Sequence, residues 1–147
     1  MEDSHKYDTL KLEYQLCFPL YATAKEIIRK YKPFLEELDL TYTQYITMMV
    51  MWERKSINVK TLGECLYLDS GTMTPVLKKL EIKGYIQREK SSDDERVLNI
   101  ILTKKGMQLQ EKAIEIPEKM GNCIPLSSQE SRELYRLLYK VLGHKEG

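Results

Sequence analysis

The chain has 147 residues, enough for one domain whose core needs no disulfide staples. At 42% hydrophobic and 31% charged it is not wholly disordered, and no apolar run approaches the ~20 residues of a membrane span. The net charge of +1 conceals a basic middle, with eight Lys/Arg against four Asp/Glu in residues 54–90, beside six against nine in 1–53 and nine of each in 91–147; this points to a localised anionic partner or a solvated basic face.

The opening "MEDSHKYD" is acidic, unlike a signal peptide, so a cytoplasmic location is expected. Leu12, Leu16, Leu20, Ala24, Ile27 and Ile28 then recur at helical spacing and predict a helix from about Leu10 to Tyr31. Within it, "YQLCFPLYAT" places Cys17 two residues before Pro19. A helix-interior proline removes a backbone hydrogen bond and costs ~3 kcal/mol or more. The helix therefore kinks, or it restarts with Pro19 in its first turn and Cys17 near a helix N-terminus. Cys17 is then either a small hydrophobe beside a tolerated fault or a thiol that the distortion serves. "YKPF" punctuates the segment before Phe34, Leu35 and Leu38, and "TYTQYITMMVMWE" reads as a core helix, apolar almost all round.

The middle of the chain changes character. Leu62, Cys65, Leu66 and Leu68 mark a short helix, and "DSG" supplies Asp69 or Ser70 as a cap for the next, predicted over Thr72 to Lys83 and ended by Gly84. Met73, Val76, Leu77 and Leu80 share one side of that helix; Thr74 and Lys78 lie opposite, bordered by Thr72 and Lys79, with Pro75 near the first turn. "YIQREK" and "VLNIIL" read as two strands joined by the polar loop "SSDDER". Thr103 starts a helix that Pro117 should bend, and "SSQE" is a capping-box signature ahead of an amphipathic helix bearing Leu134, Leu137, Leu138, Val141 and Leu142 on one face.

Two short helices joined tightly, the second with an apolar back and a Thr/Lys front, followed by a charged hairpin, make a winged helix-turn-helix. The expected fold is mainly α with a small β-hairpin wing. A helix fits the major groove and reads bases near its N-terminus, here Ser70, Gly71, Thr72 and Thr74. Lys78, Lys79 and Arg88 can neutralise phosphates, and Arg96 at the wing tip can enter a minor groove, oriented by the carboxylates of "DDER", Asp94 among them. The competing reading of the Thr/Lys side is an ordinary solvated face. Cys17, Cys65, Cys123, His5 and His144 show no zinc spacing, and no metal or cofactor is expected.

The stretch "LGECLYLDSGTMTPVLKKLEIKGYIQREKSSDDERVLNIILTKKG" resembles the winged-helix core of MarR-type bacterial transcription regulators. "LDSGTMTPVLKKLE" and "DDER" resemble the organic-hydroperoxide-sensing branch and its staphylococcal SarZ/MgrA-like relatives. The resemblance extends to "LCFPLYATAKEIIRKYKPFL" and "LTYTQYITMMVMWE"; "QLCF" followed by "YKP" and "TYTQY" is its most specific part. It implies one domain over 1–147: dimerisation helices in 10–40 and 103–143, a DNA-binding region in 54–102, and a homodimer on double-stranded DNA with an inverted-repeat operator. It further implies that Cys17 is the peroxide-sensing thiol and that Tyr31 and Tyr42 hydrogen-bond its sulfur across the dimer. Where this chain has Pro19 the family pattern usually has an apolar residue compatible with a helix.

By the same resemblance, organic hydroperoxide oxidises Cys17 to a sulfenic acid, which condenses with another thiol and releases the repressor from DNA. That thiol is Cys123 of the opposite subunit, expected in an inter-helix loop, or a small thiol. Cys65 reads as core filler. Two other readings stand beside this one. A MarR-type global or ligand-responsive regulator of virulence, biofilm or resistance genes would lack the peroxide switch. A thiol peroxidase would need a Thr/Arg constellation near the cysteine, which the sequence does not offer, so the expectation is a regulator and not an enzyme.

Overall fold

The computed structural model describes residues 4–144. The first and last three residues, including the start of "MEDSHKYD" and the ends of the expected 1–147 domain, lie outside them. Two short 3-10 turns, Asp8–Leu10 and Leu12–Tyr14, precede helix α1 (Cys17–Glu36). The expected helix from Leu10 does not form, because the backbone is extended at Lys11 and again at Gln15. Gln15 instead folds its side chain back, and Nε2 donates to the carbonyls of Thr9 (2.7 Å) and Lys11 (2.8 Å). The helix starts afresh at Cys17, making Pro19 its third residue, where an N–H would have no intrahelical partner. "YKPF" does not punctuate it, and α1 runs through Pro33 to Glu36.

Helix α2 (Tyr42–Arg54) opens with a capping box in which Thr41 Oγ1 accepts from Gln44 N (3.3 Å) and Gln44 Oε1 accepts from Thr41 N (3.1 Å). It is the hub of the first compact unit, residues 1–115: Tyr45, Thr47, Met48 and Met51 are buried, and it packs on α1 and on the elements that follow. Strand β1 (Ser56–Asn58) went unanticipated, and helix α3 (Val59–Leu66) ends before Leu68, not at it. Helix α4 spans Ser70–Ile82, two residues earlier than expected at its start, so Pro75 is its sixth residue and not in the first turn. Asp69 is the cap, and Gly84 takes the positive φ (83°) after the helix end.

Strands β2 (Ile86–Lys90) and β3 (Leu98–Leu102) form the hairpin, and β1 adds antiparallel to β3, giving the order β1-β3-β2. Helix α5 (Lys104–Ala113), capped by Thr103, stops before Pro117, so the expected bend is a break between helices. The second unit, residues 116–147, holds α6 (Ile116–Cys123) and α7 (Ser128–Val141), the latter opened by the expected Ser127–Glu130 capping box. No residue of α7 is buried. Among the described residues no helix is long and apolar enough to cross a membrane.

Candidate nucleic-acid interface and thiol site

The α3–α4 turn is set by close backbone approach. Asn58 Oδ1 accepts from Thr61 N at 2.8 Å to start α3, and Tyr67 adopts a left-handed φ of 56° to end it. A Cβ on Gly63 would lie 2.7 Å from the Leu68 carbonyl oxygen, so only glycine lets the chain fold back this tightly. Asp69 Oδ1 then accepts from Thr72 N at 2.7 Å, and this backbone donor is what holds the Asp69 carboxyl below its ordinary pKa.

Helix α4 divides as its periodicity predicts. Met73, Val76, Leu77 and Leu80 are buried, while Ser70, Gly71, Thr72, Thr74, Lys78 and Lys79 are exposed together. The Thr74 hydroxyl donates to Ser70 O at 2.8 Å, keeping its oxygen free to accept. At the wing tip Arg96 is 91% exposed; its Nε and Nη2 reach Asp94 at 3.2 and 3.4 Å, and its backbone N donates to the same carboxylate at 3.0 Å. The Arg96 backbone N–H, then its side chain, pull the Asp94 pKa down. A cleft of about 910 Å³ lies between α3, the start of α4 and the wing base, with Lys60, Tyr67, Met73 and Arg96 among its walls. Arg88 differs from Arg96 in exposure: its guanidinium, held by Glu81 across a turn, belongs to a side chain only 25% exposed.

The end of α4 is also tied to the α1–α2 turn. Lys83 Nζ donates to the Asp39 carbonyl and, at 3.3 Å, to Gln44 Oε1, the acceptor of the α2 capping box. Tyr42 is the first residue of that helix, and its ring lies 5.0 Å from Tyr31. Tyr45 completes the group, 5.7 Å from Tyr31 and 6.4 Å from Tyr42; the Tyr-x-x-Tyr spacing of 42 and 45 was its overlooked signal. Burial raises all three phenol pKa values, that of Tyr31 to about 12, with repulsion from the neighbouring phenols adding to it. The tyrosines are therefore protonated O–H donors at neutral pH.

Cys17 is exposed in the first turn of α1. Within one chain the structure does not bring it to the tyrosines, since fourteen residues of helix separate it from Tyr31, about 21 Å of axial rise. Cys123, exposed, is the last residue of α6 and not a loop residue, and Cys65 is half-buried in α3. Among the described residues no group of three or more His, Cys, Asp or Glu could hold a metal ion.

A tight helix pair with a polar, basic outer face, backed by a three-stranded sheet with an arginine-tipped hairpin, defines a winged-helix DNA-binding protein. Comparison narrows the class. Residues 29–113 match the family described as transcriptional regulator SarA/Rot. The chain is 47% identical over 141 residues to the organic hydroperoxide resistance transcriptional regulator of Bacillus subtilis strain 168, covering 94% of each. It is 46% identical over 132 residues to the HTH-type transcriptional regulator SarZ of Staphylococcus saprophyticus, covering 90% of each. Among solved structures, reduced AbfR bound to DNA, from a protein of Staphylococcus epidermidis, matches with a TM-score of 0.77 at 33% identity, over 95% of this chain and 96% of that one. Overoxidized AbfR, also bound to DNA, gives a TM-score of 0.76, and disulfide-formed AbfR 0.64. The chain belongs to the MarR/SarA family of winged-helix, DNA-binding transcription regulators, in the branch of the organic hydroperoxide and SarZ regulators.

Proposed function

We propose that this regulator is a redox-sensing repressor whose reduced homodimer binds an inverted-repeat operator and leaves it when organic hydroperoxide oxidises Cys17. The observation that carries this reading is the separation of Cys17 from Tyr31 along α1. Cys17 and Tyr31 stand about 21 Å apart on one rigid helix, with Tyr42 beside Tyr31 on α2, so the thiol and its phenolic donors would meet only when two antiparallel copies exchange ends. Exposed apolar side chains support such a pairing: Leu10, Leu12, Leu16 and Phe18 at one end of the chain, Leu134, Leu137, Leu138 and Val141 on α7. Two winged domains held by one two-fold axis then face successive major grooves.

In the reaction the Cys17 sulfur attacks the O–O bond of the hydroperoxide. The distal oxygen transfers to sulfur as a sulfenic acid, and the alkoxide leaves with a proton as the alcohol. Tyr31 and Tyr42, kept protonated by burial, donate to the sulfur while it carries negative charge. The sulfenic acid then condenses with a thiol and loses water, forming a disulfide with Cys123 of the partner subunit or with a small thiol. Overoxidized AbfR is bound to DNA, and its disulfide form is the less similar to this chain. This favours the crosslink, not added charge on sulfur, as the event that moves the winged domains.

Cumene hydroperoxide titrated against the reduced protein on operator DNA, with wild type, C17S and C123S, tests the reading. Wild type should dissociate and give a dimer band on a non-reducing gel, whereas C17S should do neither. Release of wild type and C17S at the same dose sinks the sensor role; release of C123S without the band assigns resolution to a small thiol. A ligand-responsive regulator is the second reading, favoured by a pocket of about 510 Å³ whose lining includes Lys25, Arg29, Lys32 and Glu36 beside Ile28 and Tyr42. Dissociation by a non-oxidising aromatic acid would select it.

A further inference from the structure

The turn between α4 and β2 brings Glu81 and Arg88 together with the same bonds as the Asp94–Arg96 pair, but here they link a helix to a strand and leave the arginine 25% exposed, against 91% for Arg96. Glu81 Oε1 accepts from Arg88 Nε at 3.1 Å and from Nη2 at 3.0 Å, while Oε2 accepts from the Arg88 backbone N at 2.9 Å. One carboxylate thus takes three N–H groups of one residue and fixes its side chain and backbone at once. The backbone bond is possible because β2 is an edge strand in the order β1-β3-β2, so the N–H of Arg88 faces away from β3. The carboxylate covers that edge. Both side chains are partly shielded, at 25% exposure for Arg88 and 36% for Glu81.

The position of this contact gives it leverage. The row Asn58–Asn99–Glu89 is the last with three strands, and past it the wing is a two-stranded hairpin, marginal by itself. From Arg88 to the tip at Asp94 is at most roughly 20 Å of extended chain. A tilt of about 10° at Arg88 would move Arg96 by about 3 Å, well outside the ~0.5 Å within which a binding group must be held. Glu81 sits on the helix that carries Thr74, Lys78 and Lys79.

We propose that Glu81 and Arg88 form a clamp fixing the wing's angle to the recognition helix, so that Arg88 is a positioning residue for operator binding and does not itself touch DNA. The clamp presents Arg96 and the exposed face of α4 to the duplex in one fixed relation. It rests on the family's DNA binding and is independent of the redox switch.

Fluorescence anisotropy on a duplex selected by the wild-type protein from a randomised library, with the protein kept reduced, tests this. E81Q and R88Q should each weaken binding about tenfold, the loss of one arginine's groove contact, and R96A alone should do the same. Adding R96A to E81Q should then cost less than about twofold more, because Arg96 has already lost its site. The charge swap E81R/R88E restores the side-chain pair but not the acceptor for the residue-88 N–H, so it should recover only part of the affinity and bind better than either single variant. Wild-type affinity in E81Q overturns the proposal, as does a full R96A effect in the E81Q background. So does an E81R/R88E protein that melts like wild type yet binds worse than either single variant, which is the result if residue 88 meets a phosphate. If that protein does not fold, the E81Q and R96A cycle decides alone.

Discussion

Gly106 is where the base of the wing, α5 and α2 meet, and Gly106→Ala should damage all three at once. A Cβ there would lie 2.2 Å from the Tyr85 carbonyl oxygen and 2.8 Å from Leu102 Cδ1, so α5 must retreat by about 1 Å to restore ordinary contact. That retreat loosens two bonds: Trp52 Nε1 donating to Gly106 O at 2.8 Å, and Gly106 N donating to the Thr103 cap at 3.0 Å. Overpacking costs about 1–3 kcal/mol and each weakened bond about 1 kcal/mol, while alanine returns about 1 kcal/mol of helix propensity. The net is a loss of about 2–4 kcal/mol, or roughly 5–15 °C in Tm for a chain of this size. Thermal melts at equal protein concentration measure it, because any self-association makes Tm concentration-dependent. Trp52 is the only tryptophan, so its emission reports the broken indole bond directly. A Tm lowered by less than about 2 °C with unchanged emission would refute the steric reasoning.

Tyr31→Phe and Tyr42→Phe keep the packed rings and remove the donors, so sulfenic acid formation at Cys17, trapped with dimedone, should slow about tenfold each; wild-type rates in both would dismiss the phenols. Arg96→Ala should lower the slope of log affinity against log salt by about one, with equal loss on all A·T-rich operators; an unchanged slope would mean that the wing tip does not touch DNA. Asp69, Glu81 and Asp94 all have folded-state pKa values below their unfolded ones, so their stabilisation is complete above the ordinary carboxylate range and disappears as pH falls through the folded values. Melting of the protein should accordingly be flat from about pH 7 to 5 and fall below about pH 4.5, and Asp69→Asn, a cap that does not titrate, should flatten part of that fall.

What the sequence revealed and what it hid follow from the range of the forces involved. The recognition helix was readable because its signals are local: Asp69 caps within three residues, Met73, Val76, Leu77 and Leu80 repeat at helical spacing, and Gly84 stops the turn. Arg96 and its partner Asp94 were readable for the same reason, being two residues apart. The partner of Arg88 was hidden, since Glu81 lies across a turn and no periodicity links a helix residue to a strand residue. Strand β1 escaped because three residues, "SIN", are too short for any period; its existence depends on β3, forty residues on. Tyr45 was legible only as core, and its place beside Tyr31 is a tertiary fact about how α1 lies on α2.

The prolines make the same point with one residue type. Pro19 restarts a helix because no described residue upstream of it is buried: the turns at Asp8–Leu10 and Leu12–Tyr14 contain no core residue that could hold a strained helix straight. Pro33 would free the carbonyl of Arg29, four residues back, yet α1 continues through it. Leu35 and Leu38 on the far side are almost wholly buried and α1 packs on α2, while the freed carbonyl belongs to an exposed turn where water can bond it. Pro117 stands where helix α5 has already ended at an exposed Ile114, and it is the second residue of α6 instead of a bend in α5. A proline therefore breaks a helix where the packing beyond it is too weak to offset a lost bond. That is why the break falls beside Cys17, the part of α1 that this chain by itself leaves uncovered.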